Sequence, residues 1–148
     1  MVVVLQRVSS ATVEVDDLIV GSISKGFLLL LGVYRDDTES DAKFLVDKIA
    51  GFRIFSDENR NMNLSIEDVK GSILVVSQFT LCGDWRKGKR PGFQMAAPPE
   101  EGNRLYQWFV KAMRDKGIPV ETGEFGALMN VSLVNDGPVT FVLDSREK

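Results

Sequence analysis

The chain of 148 residues contains no histidine and a single cysteine. Without histidine the commonest general base is missing, so Ser-His and Cys-His nucleophilic pairs are excluded. Zinc sets built from histidines and grouped cysteines are excluded with them, and no paired acidic motif marks another metal. The lone thiol, Cys82, cannot close an internal disulfide, so nothing points to an oxidising compartment. Long apolar runs are absent too. The N-terminal Met1-Val2-Val3-Val4-Leu5 stops at Gln6-Arg7, far too short for a signal sequence or a membrane span. The cytoplasm is the expected compartment. Nor is there an excess of positive charge: 18 Lys and Arg face 21 Asp and Glu, a formal net charge of −3. A general nucleic-acid coat must neutralise many phosphates and does not fit that balance. Chemistry here must come from hydroxyls, carboxylates, lysines, backbone amides, a bound metal or the substrate itself.

With 44% hydrophobic and 26% charged residues the composition is that of an ordinary globular domain. The length fits one domain, residues 1–148, with room for a real core. Runs rich in β-branched residues predict strands at Val2 to Val8, Ala11 to Val15 and Leu18 to Ser24, separated by Ser9-Ser10 and Asp16-Asp17. Phe27 to Val33 is continuously apolar, as suits a strand covered on both faces. A helix follows, with Thr38 as its N-cap and Ala42, Leu45, Val46 and Ile49 on one face. Arg53-Ile54-Phe55 and Ser72 to Val76 read as further strands. Pro98-Pro99 opens a second helix that buries Leu105, Trp108, Phe109, Ala112 and Met113 and ends near Gly117 and Pro119. Strands at Met129 to Val134 and Val139 to Leu143 close the chain. This order predicts one mixed α/β domain: a barrel-like curled β-sheet with two main helices packed on it.

Three segments carry candidate chemistry. Ser77-Gln78-Phe79-Thr80 ends the apolar strand through Val76, where a rigid scaffold can present hydroxyl, amide and backbone N–H groups. The plainer reading is a strand that simply runs on through Phe79 and Leu81. Thr80 is a weak nucleophile, since no histidine can activate it. Asn135-Asp136-Gly137-Pro138-Val139-Thr140 contains a strong turn signal, and a tight hairpin is its simplest explanation. A cis Gly137-Pro138 bond would instead fix the direction of two adjacent carbonyls, a device able to read a substrate sterically. The loop Trp85 to Phe93 interleaves Arg86, Lys87, Lys89 and Arg90 with two aromatic rings. Such a loop can hold phosphates while bases rest on rings, or it can be a solvated surface. Met129 reads as core.

Together, Ser77-Gln78-Phe79-Thr80 and Asn135-Asp136-Gly137-Pro138-Val139-Thr140 resemble the signature pair of the D-aminoacyl-tRNA deacylases. The likeness runs from Leu5-Gln6-Arg7-Val8 through Arg53-Ile54-Phe55-Ser56 and Met62-Asn63-Leu64 to the final strand. The resemblance implies a homodimer of barrel-like α/β subunits that hydrolyses the ester between a D-amino acid and the 3′-terminal adenosine of tRNA. It also implies action on glycyl-tRNA, notably glycine mischarged on tRNA for alanine. In that family Gly-Pro is cis and enters the partner's active site, which maps to Gly137-Pro138. Ser77, Gln78, Phe79 and Thr80 would form the catalytic pocket, with Met129 and the loop residues Trp85, Arg86, Lys87, Lys89, Arg90 and Phe93 binding substrate RNA. No cofactor, metal, membrane or DNA partner is implied. A different class, a non-catalytic nucleic-acid-binding module using the loop 85–93, would tolerate Gly137→Ala and fail on charge reversal at Arg86 and Lys87. A hydrolase of small free esters would work without tRNA.

Overall fold

The first two predicted strands are one. A computed structural model describes residues 1–148, and in it β1 runs unbroken through Ser9-Ser10 from Val2–Val15. Val3 and Leu5 belong to the larger hydrophobic core, whereas Val8, Ala11 and Val13 belong to a second, smaller one. Strand residues alternate faces, so the odd step from Val8 to Ala11 requires a slip of register. The pairing of β1 slips between Val8 and Ser10. Asp16 and Asp17 both take positive φ (50° and 64°), the backbone of a two-residue hairpin turn. The chain then returns along one edge of β1 in two pieces, β2 (Leu18–Ile23) against its far half and β3 (Gly26–Gly32) against its near half.

Beyond β3 come α1 (Glu39–Ala50), a small hairpin of β4 (Phe55–Ser56) and β5 (Met62–Leu64), β6 (Ser72–Ser77), α2 (Pro99–Asp115), β7 (Val120–Thr122) and β8 (Asn130–Asp144). β3, β6 and β7 lie parallel in that order, and β8 takes the other edge of β1. The sheet curls into a nearly closed barrel. Where β2 meets β7, a Cβ on Gly21 would stand 2.5 Å from the Thr122 carbonyl oxygen, so only glycine lets the two backbones come this close.

The helices fill the larger core against one face of the sheet. Thr38 precedes α1 as expected, and its N–H donates to the Asp41 carboxylate at 2.9 Å. Ala42, Leu45, Val46 and Ile49 are buried, as are Leu105, Tyr106, Phe109, Val110 and Met113 of α2. Each such aliphatic or aromatic side chain contributes about 1.5–3 kcal/mol by leaving water. Trp108 and Ala112 only pack against this core rather than lying within it. At the chain start the Met1 ammonium is buried on the Asp37 carboxylate at 2.6 Å and the Ser145 hydroxyl at 2.8 Å. No helix is long and apolar enough to cross a membrane.

The closing strands differ from expectation in a way that matters. The expected strands Met129 to Val134 and Val139 to Leu143 are not arms of a hairpin: from Asn130 on, both belong to the single strand β8, paired with β1. Asn135 pairs with Val8 and Thr140 with Gln6, so Asp136 to Val139 stand opposite Arg7 alone. The segment is a wide bulge thrown out from a continuous strand.

Because the Gly21 site closes the barrel, Gly21→Val should lower stability by about 1–3 kcal/mol through overpacking. Thermal unfolding would show a Tm lowered by several degrees. An unchanged Tm would mean that β2 and β7 part without cost.

Candidate active site

β6 is buried along its apolar middle, with Ile73, Leu74, Val75 and Val76 all inaccessible or nearly so. It pairs with β3 as far as Leu31 opposite Ser77. The Gln78 N–H then donates to the Leu31 carbonyl at 2.8 Å, and the chain turns. Phe79–Cys82 form one 3-10 turn, closed by Leu81 N–H to the Gln78 carbonyl at 3.2 Å and Gly83 N–H to the Thr80 carbonyl at 3.0 Å. The strand therefore does not run on through Phe79. Cys82 is what draws the chain inward: it packs with Val2 and Ala96, and burial pushes its thiol up to about 11, leaving it inert. Phe79 faces out, 57% exposed, edge-on to Phe93 with ring centroids 5.0 Å apart. The Gln78 side-chain amide donates to the Thr80 hydroxyl, which lies in the exposed part of the turn.

This turn edges a cleft of about 680 Å3. Ser77, Gln78, Phe79, Phe93 and Met129 of the expected residues line it together. Thr80 does not, and neither do Trp85, Arg86, Lys87, Lys89 and Arg90. The floor is held from behind: the Tyr106 hydroxyl donates to the Val75 carbonyl at 3.2 Å, and its ring lies 5.8 Å from that of Phe125, which lines the cleft. Met129, read as core from the sequence, is a wall of the cleft. Sequence reasoning missed Arg35, Pro98, Pro99 and the turn Phe125 to Leu128, all of which line it. The clue for the last was Gly123-Glu124-Phe125-Gly126-Ala127, a glycine-flanked aromatic just before a strand. Leu128, 94% exposed at the rim, is an apolar side chain with no packing role inside this chain.

The basic loop is pinched at its base by Asp84 and Gly92, which exchange N–H to carbonyl bonds of 2.7 and 2.9 Å. Arg86 folds back onto Asp84 in a two-pronged ion pair, both contacts 2.9 Å. Hydrogen bonds from the Arg86 side chain hold the Asp84 carboxyl down at about 2, so the clamp stays charged at any ordinary pH. Arg86 thus braces the loop, while Lys87, Lys89 and Arg90 make no ion pair and Trp85 is 79% exposed beside them.

The bulge on β8 lies elsewhere. Gly137 and Pro138 do not line this cleft. They stand opposite Arg7, which pairs with Phe27 at the start of β3, whereas the cleft begins at Leu31. Four strand residues separate the two, about 13 Å at 3.3 Å per residue. The peptide bond between Gly137 and Pro138 is cis, and Gly137 has φ +142°. Asn135 staples the bulge: its Oδ1 accepts from Val139 N–H and its Nδ2 donates to the Thr140 hydroxyl, both at 3.0 Å. Arg7, almost wholly buried, donates to the carbonyls of Asp136 at 3.1 Å and Ile54 at 2.7 Å.

Known proteins agree with this architecture. The family model described as D-Tyr-tRNA(Tyr) deacylase matches residues 4–144. Curated D-aminoacyl-tRNA deacylases of Bacillus pumilus and Thermotoga petrophila are each 58% identical to the chain. The first match covers 99% of this chain and 100% of the relative, the second 96% and 95%. Among solved structures, one described as c-Myc DNA Unwinding Element Binding Protein superposes with TM-score 0.92 at 38% identity, covering 97% of this chain and 98% of that one. A "probable eukaryotic D-amino acid tRNA deacylase" shares the fold with TM-score 0.80 at 22% identity, over 97% and 98% of the two chains.

The bulge is tightly constrained backbone. A Cβ at Gly137 would lie 2.8 Å from Val139 N, at a φ that L residues avoid. Gly137→Ala is expected to cost about 1–3 kcal/mol and to disturb the Asn135 staple. Faster hydrogen exchange at the Val139 amide would report it, and unchanged exchange would show that the bulge accepts a side chain freely.

Proposed function

Because this chain belongs to the D-Tyr-tRNA(Tyr) deacylase family, we propose that its cleft proofreads chirality by excluding L-aminoacyl groups with backbone rather than side chains. The enzyme is a D-aminoacyl-tRNA deacylase, a hydrolase of the ester linking a D-amino acid to tRNA. The observation that carries the reading is the Ser77–Phe79 strand end opening into the cleft of a chain so close to named deacylases. In the finer reading the 3′-terminal adenosine enters this cleft, and glycine mischarged on tRNA for alanine is hydrolysed too. A filter that rejects an L side chain passes a residue with none.

The filter assigned here is the carbonyl pair of Gly137 and Pro138, acting in the cleft of a second copy. Their separation from the cleft of their own chain supports that assignment, as does exposed apolar surface at Leu18 and Ile19, 69% and 61% accessible, which suits burial in a homodimer. The cytoplasm, where charged tRNA is found, is the compartment proposed.

For the chemistry, water attacks the ester carbonyl, and the N–H groups of Phe79 and Thr80 receive the developing oxyanion. The first N–H groups of a helical turn have no partner within it, which leaves them free for that use. The substrate's neighbouring 2′-hydroxyl relays the water's proton to the 3′-oxygen as the ester C–O bond breaks, releasing the free amino acid and the 3′-hydroxyl end of the tRNA. Thr80 as acyl-enzyme nucleophile is disfavoured, since its hydroxyl accepts from Gln78 and no histidine is present to activate it. The structural neighbour named for DNA binding favours a second reading, a nucleic-acid-binding module using Trp85, Lys87, Lys89 and Arg90.

Deacylation of matched D-tyrosyl-, L-tyrosyl- and glycyl-tRNA, with a chelator present, separates these readings. Loss of the D and glycyl esters with the L ester spared is expected. Sparing of all three would favour the binding module, and cleavage of all three would remove the filter from Gly137 and Pro138. Thr80→Val should retain most D-tyrosyl-tRNA deacylation in single-turnover kinetics. A large loss with an acyl group trapped on Thr80 in the wild type would replace the substrate-assisted route.

A further inference from the structure

The cleft has a single charged lining residue, and we propose that this residue, Arg35, anchors the phosphodiester that joins the substrate's 3′-terminal adenosine to the preceding nucleotide. The inference rests on the deacylase reading above and adds a residue that sets the direction of the substrate in the cleft.

Arg35 reaches the cleft by simple alternation. Leu31, Val33 and Arg35 all line it, two residues apart, as a continuation of β3. That continuation is held against residues 94–97: Ala97 N–H donates to the Val33 carbonyl at 2.9 Å, and Arg35 N–H to the Met95 carbonyl at 2.9 Å. The Arg35 Nε donates to the Gln94 carbonyl at 3.1 Å, which fixes the base of the guanidinium. Its two terminal nitrogens have no partner in the chain and no carboxylate within ion-pair reach. Arg86 and Arg104, by contrast, are both taken up by carboxylates. The neighbouring Asp37 is already committed to the Met1 ammonium and the Tyr34 N–H, each at 2.6 Å. A located guanidinium with free donors is the group best suited to a phosphate.

D-tyrosyl-tRNA offers it only one kind of anion, the backbone phosphate. The amino acid's carboxylate is esterified, and its α-amino group is cationic. Arg35 therefore repels the aminoacyl end and attracts the RNA backbone. With Leu31 beside Ser77, Arg35 lies four residues along the chain from the reacting end, about 13 Å when extended. The ester then sits by Ser77 to Phe79, and the strand leaves past Arg35. Lys87, Lys89 and Arg90 cannot take this role, since none of them lines the cleft, but they are free to meet phosphates further along the acceptor strand.

The test compares D-tyrosyl-tRNA with the D-tyrosyl 3′-ester of adenosine, which has no phosphate. Arg35→Gln should raise KM for the tRNA about tenfold with kcat unchanged, as for a lost charged hydrogen bond. It should also make the logarithmic salt dependence of kcat/KM shallower by about 0.7. Hydrolysis of the nucleoside ester should not change, and Arg35→Lys should restore most of the tRNA KM. Equal loss on both substrates would make Arg35 part of the ester chemistry or of the fold and overturn the proposal, as would no change on either. Wild-type enzyme inactive on both would overturn the deacylase reading itself and the phosphate anchor with it.

Discussion

The structure depends on β1 being shared along both edges. One edge is divided between β2 and β3, which run end to end as a broken return strand, and the other belongs entirely to β8. A strand of this length twists, and what pairs with it must twist along. The far half thus swings β2 across to β7 at Gly21, while the near half stays under the helices. The two halves serve different cores, which is why the register must slip between Val8 and Ser10. Without that slip Ala11 and Val13 would turn their methyl groups away from the smaller core.

The cleft forms where this frame runs out of partners. β3 and β6 end together at Leu31 and Ser77, and Leu31 spends its carbonyl on Gln78. The backbone of β6 is tied further back by Tyr106 from α2. Strand ends held on both sides are rigid, and rigid donors are what an oxyanion requires, because reorganisation at the moment of reaction is avoided. In the proposed route the same logic lets a chain without histidine host ester hydrolysis: position replaces a strong base when the substrate carries its own hydroxyl.

Much of this was legible from residue pattern. The apolar run of β3, the Thr38 start of α1 and the Pro98-Pro99 opening of α2 follow local rules, and local rules held. For Ser77 to Thr80 the residue pattern left a strand end and a strand running on both open; the chain turns there, and Ser77 to Phe79, without Thr80, line the cleft with Phe93 and Met129. The misreadings share one cause. Asp136-Gly137-Pro138 is turn chemistry by sequence, and only the pairing of both flanks to β1 makes it a bulge. Ser9-Ser10 looked like a break for the same reason, since a bulge and a loop use similar residues. Arg35 was invisible because what marks it is the company it keeps across the cleft, a property no single segment holds.

The cis bulge and the cleft lie on different stretches of the sheet, which has a mechanical consequence for the proposed filter. Gly137 and Pro138 stand opposite Arg7, well away from the cleft at Leu31, so no motion within one barrel brings them together without breaking β1 from β8. A carbonyl filter must also hold its position to well under an ångström, since an L and a D side chain differ only by the exchange of two substituents on one carbon. The bulge meets that need with ties at each flank, Asn135 to Val139 and Arg7 to Asp136. Arg7 is buried and bonded to Ile54 as well, so the bulge is anchored to the body of the barrel. In the proposed reading, selectivity belongs to the interface between two rigid bodies. In that reading it is independent of which amino acid arrives, because backbone carbonyls sense the space beside the α-carbon and nothing beyond it.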